Sequence, residues 1–236
     1  MLLTLLIPCH NEAEALPALF AELAHLKDWL LPEIFPEILL VDDGSFDNTL
    51  EQLGNFADDF LLPVRVLGLR PQAGLGAAIR EAVPLASGEV VVTYDADLPY
   101  PLSDIRKLVD PIHAGEADVV TASPWHPEGN APGVPPHRLL LSRTLSALYR
   151  LRLGKGAQGL HTFTCGFRAY RKSTLLEVLP RRDDFTATAE MLVRSLKAGA
   201  RVLEVPSTLR GRTDGVSKMR IVRTALAHVG LLMRGG

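Results

Sequence analysis

Two rhythms of apolar residues alternate along the chain. Residues 2–7 are a short continuous apolar run closed by Pro8, after which Leu16, Leu19, Phe20, Leu23 and Leu26 recur three or four positions apart. The first rhythm predicts a strand and the second an amphipathic helix. The alternation repeats, with strands expected at 37–41, 64–69 and 89–94 and helices at 47–56 and 75–86. A further helix is expected at 103–113, with Ser103 as its N-cap, and a further strand at 118–121. Strands that alternate with helices imply a parallel sheet covered on both faces, so the fold class is α/β.

Residues 124–136 contain five prolines and two glycines, a loop that no regular element absorbs. Beyond it the pattern predicts a helix at 138–153, an extended run at 162–170, a helix at 188–198, a strand at 201–205 ending at Pro206, and a last amphipathic helix within 217–236. The expected organisation is one domain over 1–236, with one half at 1–123, a second at 124–216 and the terminal helix at 217–236. A length of 236 residues with 47% hydrophobic content supports one such domain with a substantial core.

No apolar run approaches the roughly 20 residues that cross a bilayer. The apolar start reads as a first strand and not as a secretory signal, which leads us to expect a cytoplasmic protein. Cys9 and Cys165 are the only cysteines, too few for a disulfide scaffold.

Charge changes the picture more than composition does. Residues 1–128 hold 21 acids and 6 Lys/Arg, whereas 129–236 hold 6 acids and 19 Lys/Arg. The stretch 129–174 has no acid at all but carries Arg138, Arg143, Arg150, Arg152, Lys155, Arg168, Arg171 and Lys172. This second half is expected to attract anions, phosphates or anionic lipid in particular. Mutual neutralisation of the two halves is the simpler alternative. Nucleic acid is not expected, because no binding motif accompanies the charge.

Ligands of open α/β sheets bind beyond the carboxyl ends of the strands, so polar residues that follow strands are the candidates for chemistry. Three such stretches stand out: Pro8-Cys9-His10-Asn11-Glu12, Val41-Asp42-Asp43-Gly44-Ser45-Phe46-Asp47-Asn48-Thr49, and Asp95-Ala96-Asp97. Two carboxylates one residue apart at a strand end can share a divalent cation, and that cation can hold a diphosphate. In the second stretch, Asp and Gly are also common turn formers, and Asp47 could cap the next helix.

The order I-P-x-x-N-E, V-D-D-G-S-x-D-x-T and D-A-D-L resembles the family 2 glycosyltransferases, and among them the polyprenol-phosphate sugar transferases, the dolichol-phosphate mannosyltransferase group. The resemblance implies a GT-A (Rossmann-like) fold and a metal-dependent, inverting transfer of a hexose, mannose or glucose. The implied donor is GDP-mannose or UDP-glucose, the cofactor Mg²⁺ or Mn²⁺, and the acceptor a polyprenyl or dolichyl phosphate. It places Pro8, Asn11, Glu12, Asp42, Asp43, Asp95 and Ala96 around the sugar nucleotide and Asp95 with Asp97 on the metal. Arg138, Ser142 and Arg143 fall in the segment that resembles the acceptor-phosphate site, Thr164 to Arg168 in a buried turn near the sugar, and Arg212 with Lys218 in an R-x-x-G-x-S-K loop over the diphosphate. Glu190 is the candidate general base if the acceptor is a hydroxyl; its other reading is an exposed helix acid paired with Arg194 at i+4.

The chain departs from the family pattern at Pro99, where Gln commonly follows D-A-D-L, at Ala122-Ser123-Pro124-Trp125 in place of a G-S-R-Y-like stretch, and at Ser146 in place of Asn. His10, Trp125 and Cys165 read as packing or pocket-lining residues.

Other classes fit less well. A nicotinamide oxidoreductase needs G-x-G-x-x-G after its first strand, whereas Gly74-Leu75-Gly76 follows the third and has Ile79 at the last position. A nucleotidyltransferase needs a Gly-rich basic loop where Pro8 to Glu12 stands. A non-catalytic sugar-nucleotide sensor, or transfer to a non-lipid hydroxyl, remain as alternatives. The last segment, with Lys218, Arg220, Arg223 and Arg234 beside Val222, Leu226, Val229 and Met233, suits either an anionic membrane at the inner face or a helix packed on the core.

Overall fold

A computed structural model of the chain describes residues 1–211 and 221–234. Its centre is one seven-stranded sheet of order β3-β2-β1-β4-β6-β5-β7. The strands are β1 (Leu2–Cys9), β2 (Phe35–Asp43), β3 (Val64–Leu69), β4 (Val90–Thr93), β5 (Val119–Ser123), β6 (Arg168–Arg171) and β7 (Val202–Pro206). All pairings are parallel except those of β6, which runs antiparallel to both β4 and β5. The helices are α1 (Leu16–Leu23), α2 (Leu26–Leu30), α3 (Thr49–Asp59), α4 (Leu75–Ala82), α5 (Ile105–His113), α6 (Pro136–Leu153), α7 (Lys172–Glu177), α8 (Ala187–Lys197) and α9 (Ile221–Arg234).

The central strands are largely apolar because both of their faces are covered, and the buried Thr4 hydroxyl of β1 is donated to the Glu37 carboxylate of β2. In β1 the side chains of Leu3, Leu5 and Ile7 enter a core shared with Leu16 and Leu19 of α1 and with Ile105, Leu108 and Ile112 of α5. Leu6 enters the opposite core with Val41, Ala78, Ile79 and Met191. Alternate residues of one strand therefore serve two cores, as the period of two requires.

Several elements differ from expectation for local reasons. The expected helix at 75–86 is α-helical only to Ala82 and continues as a 3₁₀ turn over Val83–Leu85, because Pro84 has no N–H to donate back to the preceding turn. Ser103 is not an N-cap: it lies in the 3₁₀ turn Leu102–Asp104, and α5 follows from Asp104 without a side-chain cap bond. Asp47 does not occupy the cap position of α3, which falls to Asn48, but its Oδ1 accepts the Thr49 N–H at 3.0 Å. The extended run expected at 162–170 is a strand only from Arg168. Ahead of it, the buried Glu204 carboxylate of β7 takes the N–H groups of His161 (2.6 Å) and Thr162 (3.0 Å), which holds that stretch as a loop. The six-residue α7 is too short for a periodic signal.

Two glycines set how the third-strand crossover meets the second half. A Cβ on Gly76 would lie 1.8 Å from the Arg182 carbonyl oxygen, and one on Gly74 (φ 97°) 2.3 Å from that of Asp183. The start of α4 thereby rests directly on the 182–183 backbone, with the Gly76 N–H donated to the Asp183 carbonyl at 3.1 Å. Gly76→Ala is expected to lower stability by about 1–3 kcal/mol, the cost of overpacking. In a thermal melt this should appear as a fall of several degrees; an unchanged melting temperature would contradict the contact.

Candidate active site

The parallel strands β3, β2, β1 and β4 end on one rim, and a cleft of about 950 Å³ opens there. Its wall includes Pro8, His10, Asn11 and Glu12 after β1, Asp43 and Phe46 after β2, Gln72 to Leu75 after β3, and Asp95, Ala96 and Asp97 after β4. The second half contributes Arg138 at the start of α6, Asp183 to Thr186 ahead of α8, and Thr224 and Ala227 of α9. The three stretches singled out in the sequence thus meet at one place.

The loop after β1 is fixed by Asn11, which takes the left-handed conformation (φ 52°) that asparagine tolerates better than most residues. Its side-chain oxygen accepts the Phe46 N–H at 2.9 Å, and its own N–H is donated to Ser45 Oγ at 2.9 Å. His10 Nδ1 lies 2.8 Å from the Asp43 carbonyl oxygen, which only accepts, so Nδ1 carries the proton there and Nε2 accepts from the Asn11 amide at 3.1 Å. The Glu12 N–H is donated to Thr49 Oγ1 at 2.9 Å.

The adjacent acids Asp42 and Asp43 part company. Asp43 lines the cleft, and its carboxylate accepts the N–H groups of Ala73 (2.7 Å) and Gly74 (2.9 and 3.0 Å), fixing the turn that leads into α4. Asp42 is fully buried, outside the lining, with its oxygens 3.3 Å from the Ser45 N–H and 3.7 Å from the Arg70 guanidinium.

At the end of β4, Asp95 and Asp97 flank the buried Ala96. The Asp95 carboxylate lies against Gly166: a Cβ there would sit 2.7 Å from Oδ2 and 2.9 Å from Oδ1. The missing side chain leaves the space that the carboxylate occupies. Thr93 Oγ1 holds the same segment by donating to the Gly166 carbonyl at 2.6 Å. Burial pushes the neighbouring Cys165 thiol up to about 11.

The expected acceptor residues and Glu190 take different places. Arg138 lines the cleft. Ser142 and Arg143 are instead engaged with Trp125: the indole Nε1–H is donated to Ser142 Oγ at 3.2 Å, Ser142 Oγ lies 3.1 Å from Thr164 Oγ1, and the Arg143 guanidinium stands 4.6 Å from the centre of the indole ring. Glu190 is neither exposed nor paired with Arg194. It is buried, its Oε2 accepts the N–H groups of Arg181 and Arg182, each at 3.0 Å, and Arg194 binds the carbonyls of Leu179 and Glu177. Glu190 thereby shapes the turn that presents Asp183 and Asp184 to the cleft. Arg212 and Lys218 lie outside the described residues.

Phe46 lies inside the second stretch but has no role assigned to it there, and lining residues that no stretch marks include Gln72, Asp183 to Thr186, Thr224 and Ala227. The polar run Arg181 to Asp184 directly ahead of a helix is the available signal for one wall. Nothing local marks α9, whose place is set by packing. Tyr149 Oη meets His228 Nδ1 at 2.8 Å in the α6–α9 contact, and burial pushes the His228 imidazole down to about 4.

The lining is acidic. Glu12, Asp43, Asp95, Asp97, Asp183 and Asp184 face Arg138 as the one Lys or Arg among the described lining residues. Among the described residues, no three His, Cys, Asp or Glu side chains converge on one metal position. Asp95 and Asp97 place two carboxylates one residue apart on the cleft wall, and a hard cation such as Mg²⁺ can take one or two carboxylates and complete its shell with phosphate oxygens and water.

The chain resembles known proteins in both sequence and fold. Residues 4–179 match the family model described as glycosyl transferase family 2, and the chain belongs to that family. It is 35% identical over 224 residues to a polyprenol monophosphomannose synthase of Mycolicibacterium smegmatis, covering 91% of this chain and 79% of that protein. It is 31% identical to a dolichol-phosphate mannosyltransferase of Pyrococcus furiosus over 99% of this chain, but spans only 64% of that protein. Among solved structures, glucosyl-3-phosphoglycerate synthase of Mycobacterium tuberculosis superposes with a TM-score of 0.69 at 21% identity, covering 97% of this chain and 80% of the other. This likeness is one of fold. That protein has been crystallised with Mn²⁺, UDP and glucosyl-3-phosphoglycerate and, separately, with Mg²⁺ and UDP.

Gly166→Ala is expected to push the Asp95 carboxylate from its seat. Calorimetric titration with UDP or GDP should then show binding that no longer gains from Mn²⁺; a Mn²⁺ gain equal to that of the wild type would contradict the role of this contact.

Proposed function

We propose that the chain transfers a hexose, mannose or glucose, from GDP-mannose or UDP-glucose to a polyprenyl phosphate, with inversion at the anomeric carbon. The observation that carries this reading is the acid-lined cleft that includes Asp95 and Asp97 and is also lined by Arg138, near the start of an acid-free helix. The names of the Mycolicibacterium and Pyrococcus relatives support the acceptor class.

The acceptor phosphate oxygen forms a bond to the anomeric carbon from the face opposite the diphosphate, and the bond from that carbon to the diphosphate oxygen breaks, releasing the nucleoside diphosphate. Asp95 and Asp97 would hold Mg²⁺ or Mn²⁺, which would supply charge stabilisation for the leaving diphosphate. Pro8, Asn11, Glu12, Asp43 and Ala96 bound the donor, and Asp42 acts from behind them by holding Ser45. Arg138 draws the acceptor phosphate toward the cleft, while Ser142 and Arg143 brace the Trp125 wall beside it. Arg212 and Lys218 are assigned to the departing diphosphate on the resemblance of their loop. A phosphate acceptor has a second pKa near 6 and is mostly a dianion at about pH 7, so it needs no general base. That agrees with a Glu190 carboxylate committed to the Arg181 and Arg182 backbone.

Transfer to a lipid phosphate also requires the chain to meet a bilayer. No described helix is long and apolar enough to cross one. On α9, Leu226, Val229 and Met233 are exposed, and on α6, Leu140, Leu148 and Leu151, amid Arg143, Arg150 and Arg152. We assign these helices to a peripheral contact with anionic lipid.

Asp97→Asn is expected to reduce transfer of labelled hexose to polyprenyl phosphate by roughly 10³-fold with an unchanged melting temperature. A fully active variant would refute the metal assignment, and transfer by the wild type to hydroxyl acceptors alone would refute the acceptor. The double substitution Leu226→Asp with Met233→Asp should abolish flotation with vesicles containing anionic lipid; undiminished flotation would remove α9 from the membrane contact.

A further inference from the structure

Phe46 is an outlier in the cleft wall. It is 87% exposed, more than any other Phe, Tyr or Trp among the described residues, and so contributes nothing to the core. Yet it is held in place. Its N–H is donated to Asn11 Oδ1 at 2.9 Å, and its ring stands edge-to-face against His10, with centroids 6.1 Å apart and planes at 80°. His10 is itself tied to the Asp43 carbonyl and the Asn11 amide. Three residues from two loops thus orient an apolar ring toward water at the edge of a polar cleft.

The strand order says what meets it. Asp95 and Asp97 follow β4, in the middle of the sheet, with β1, β2 and β3 on one side and β6, β5 and β7 on the other. The basic helix α6 follows β5, so the acceptor approaches from that side. A nucleoside diphosphate held at Asp95 and Asp97 therefore extends its nucleoside the opposite way, over the ends of β1 and β2. Phe46 stands there, with Gln72 lining the same end of the cleft from the turn after β3. A nucleobase is a flat π system with two faces to cover, and an exposed aromatic ring covers one of them.

We propose that Phe46 is the stacking platform for the nucleobase of the donor, positioned by His10 and Asn11. The assignment rests on the reading of the donor as a nucleoside diphosphate sugar. Stacking is tolerant of base identity, so the platform serves uracil and guanine alike and supplies affinity without choosing between them.

The test is calorimetric titration of the full chain in Mn²⁺ with UDP, with GDP and with inorganic pyrophosphate, which lacks a base. Phe46→Ala is expected to weaken the nucleotide by roughly 5- to 150-fold, the range for losing one base–aromatic stack. Pyrophosphate affinity and melting temperature should stay as in the wild type, and Phe46→Trp should retain nucleotide affinity. Equal nucleotide binding by wild type and Phe46→Ala would overturn the platform alone. A parallel loss of pyrophosphate binding would also overturn it, by showing a general disturbance of the cleft. A wild type that binds neither nucleotide would overturn the donor reading and the platform together.

Discussion

Under the function proposed above, an acid-lined cleft has to accept an anionic diphosphate, and the rest of the site follows from that conflict. Two like charges about 4 Å apart cost about 1 kcal/mol in bulk water and about 4 kcal/mol near a protein surface. Glu12, Asp43, Asp95, Asp97, Asp183 and Asp184 together would therefore repel the donor strongly if nothing intervened. The fold relieves part of this by giving some acids backbone partners: Asp43 holds the Ala73 and Gly74 amides. We assign a shared divalent ion to Asp95 and Asp97, at the tip of the central strand, where it would turn repulsion into attraction at one point.

That arrangement depends on close contact between the halves of the chain. Asp95 leaves β4, while Gly166 belongs to the loop that enters the antiparallel β6, and the carboxylate fits because Gly166 has no side chain. Gly74 and Gly76 repeat the device on the other flank, where α4 lies directly on the Arg182–Asp183 backbone that Glu190 holds from within. The basic helix α6 and the covering helix α9 are joined through Tyr149 and His228 and border this cleft from the second half. The charge asymmetry of the sequence becomes a spatial one, with acids around the proposed donor site and Arg138 toward the proposed acceptor side.

Much of this is legible in the sequence, for a definite reason. Strands buried on both faces read as unbroken apolar runs, so β1, β2 and β4 and the polar residues at their tips can be found from Leu2 to Ile7 and its counterparts. The motif order leads to the family in the same way. Features set by tertiary contact are not legible. Adjacent strand-end residues point to opposite faces, so no local pattern tells that Asp43 and not Asp42 reaches the cleft. Glu190 reads as one half of an i+4 pair, but α8 is buried nearly all round and its acid serves a distant turn. The contacts of Ser142 and Arg143 with Trp125 are likewise announced by nothing near them in sequence. Phe46 escapes notice because one exposed aromatic residue among turn formers has no period.

The most direct measurement is anomalous diffraction from crystals soaked in Mn²⁺ with the nucleoside diphosphate that titration shows to bind. The account predicts a manganese peak within coordination distance of Asp95 or Asp97 and of the diphosphate oxygens. Nucleotide density in the cleft with no manganese beside these two carboxylates would contradict it.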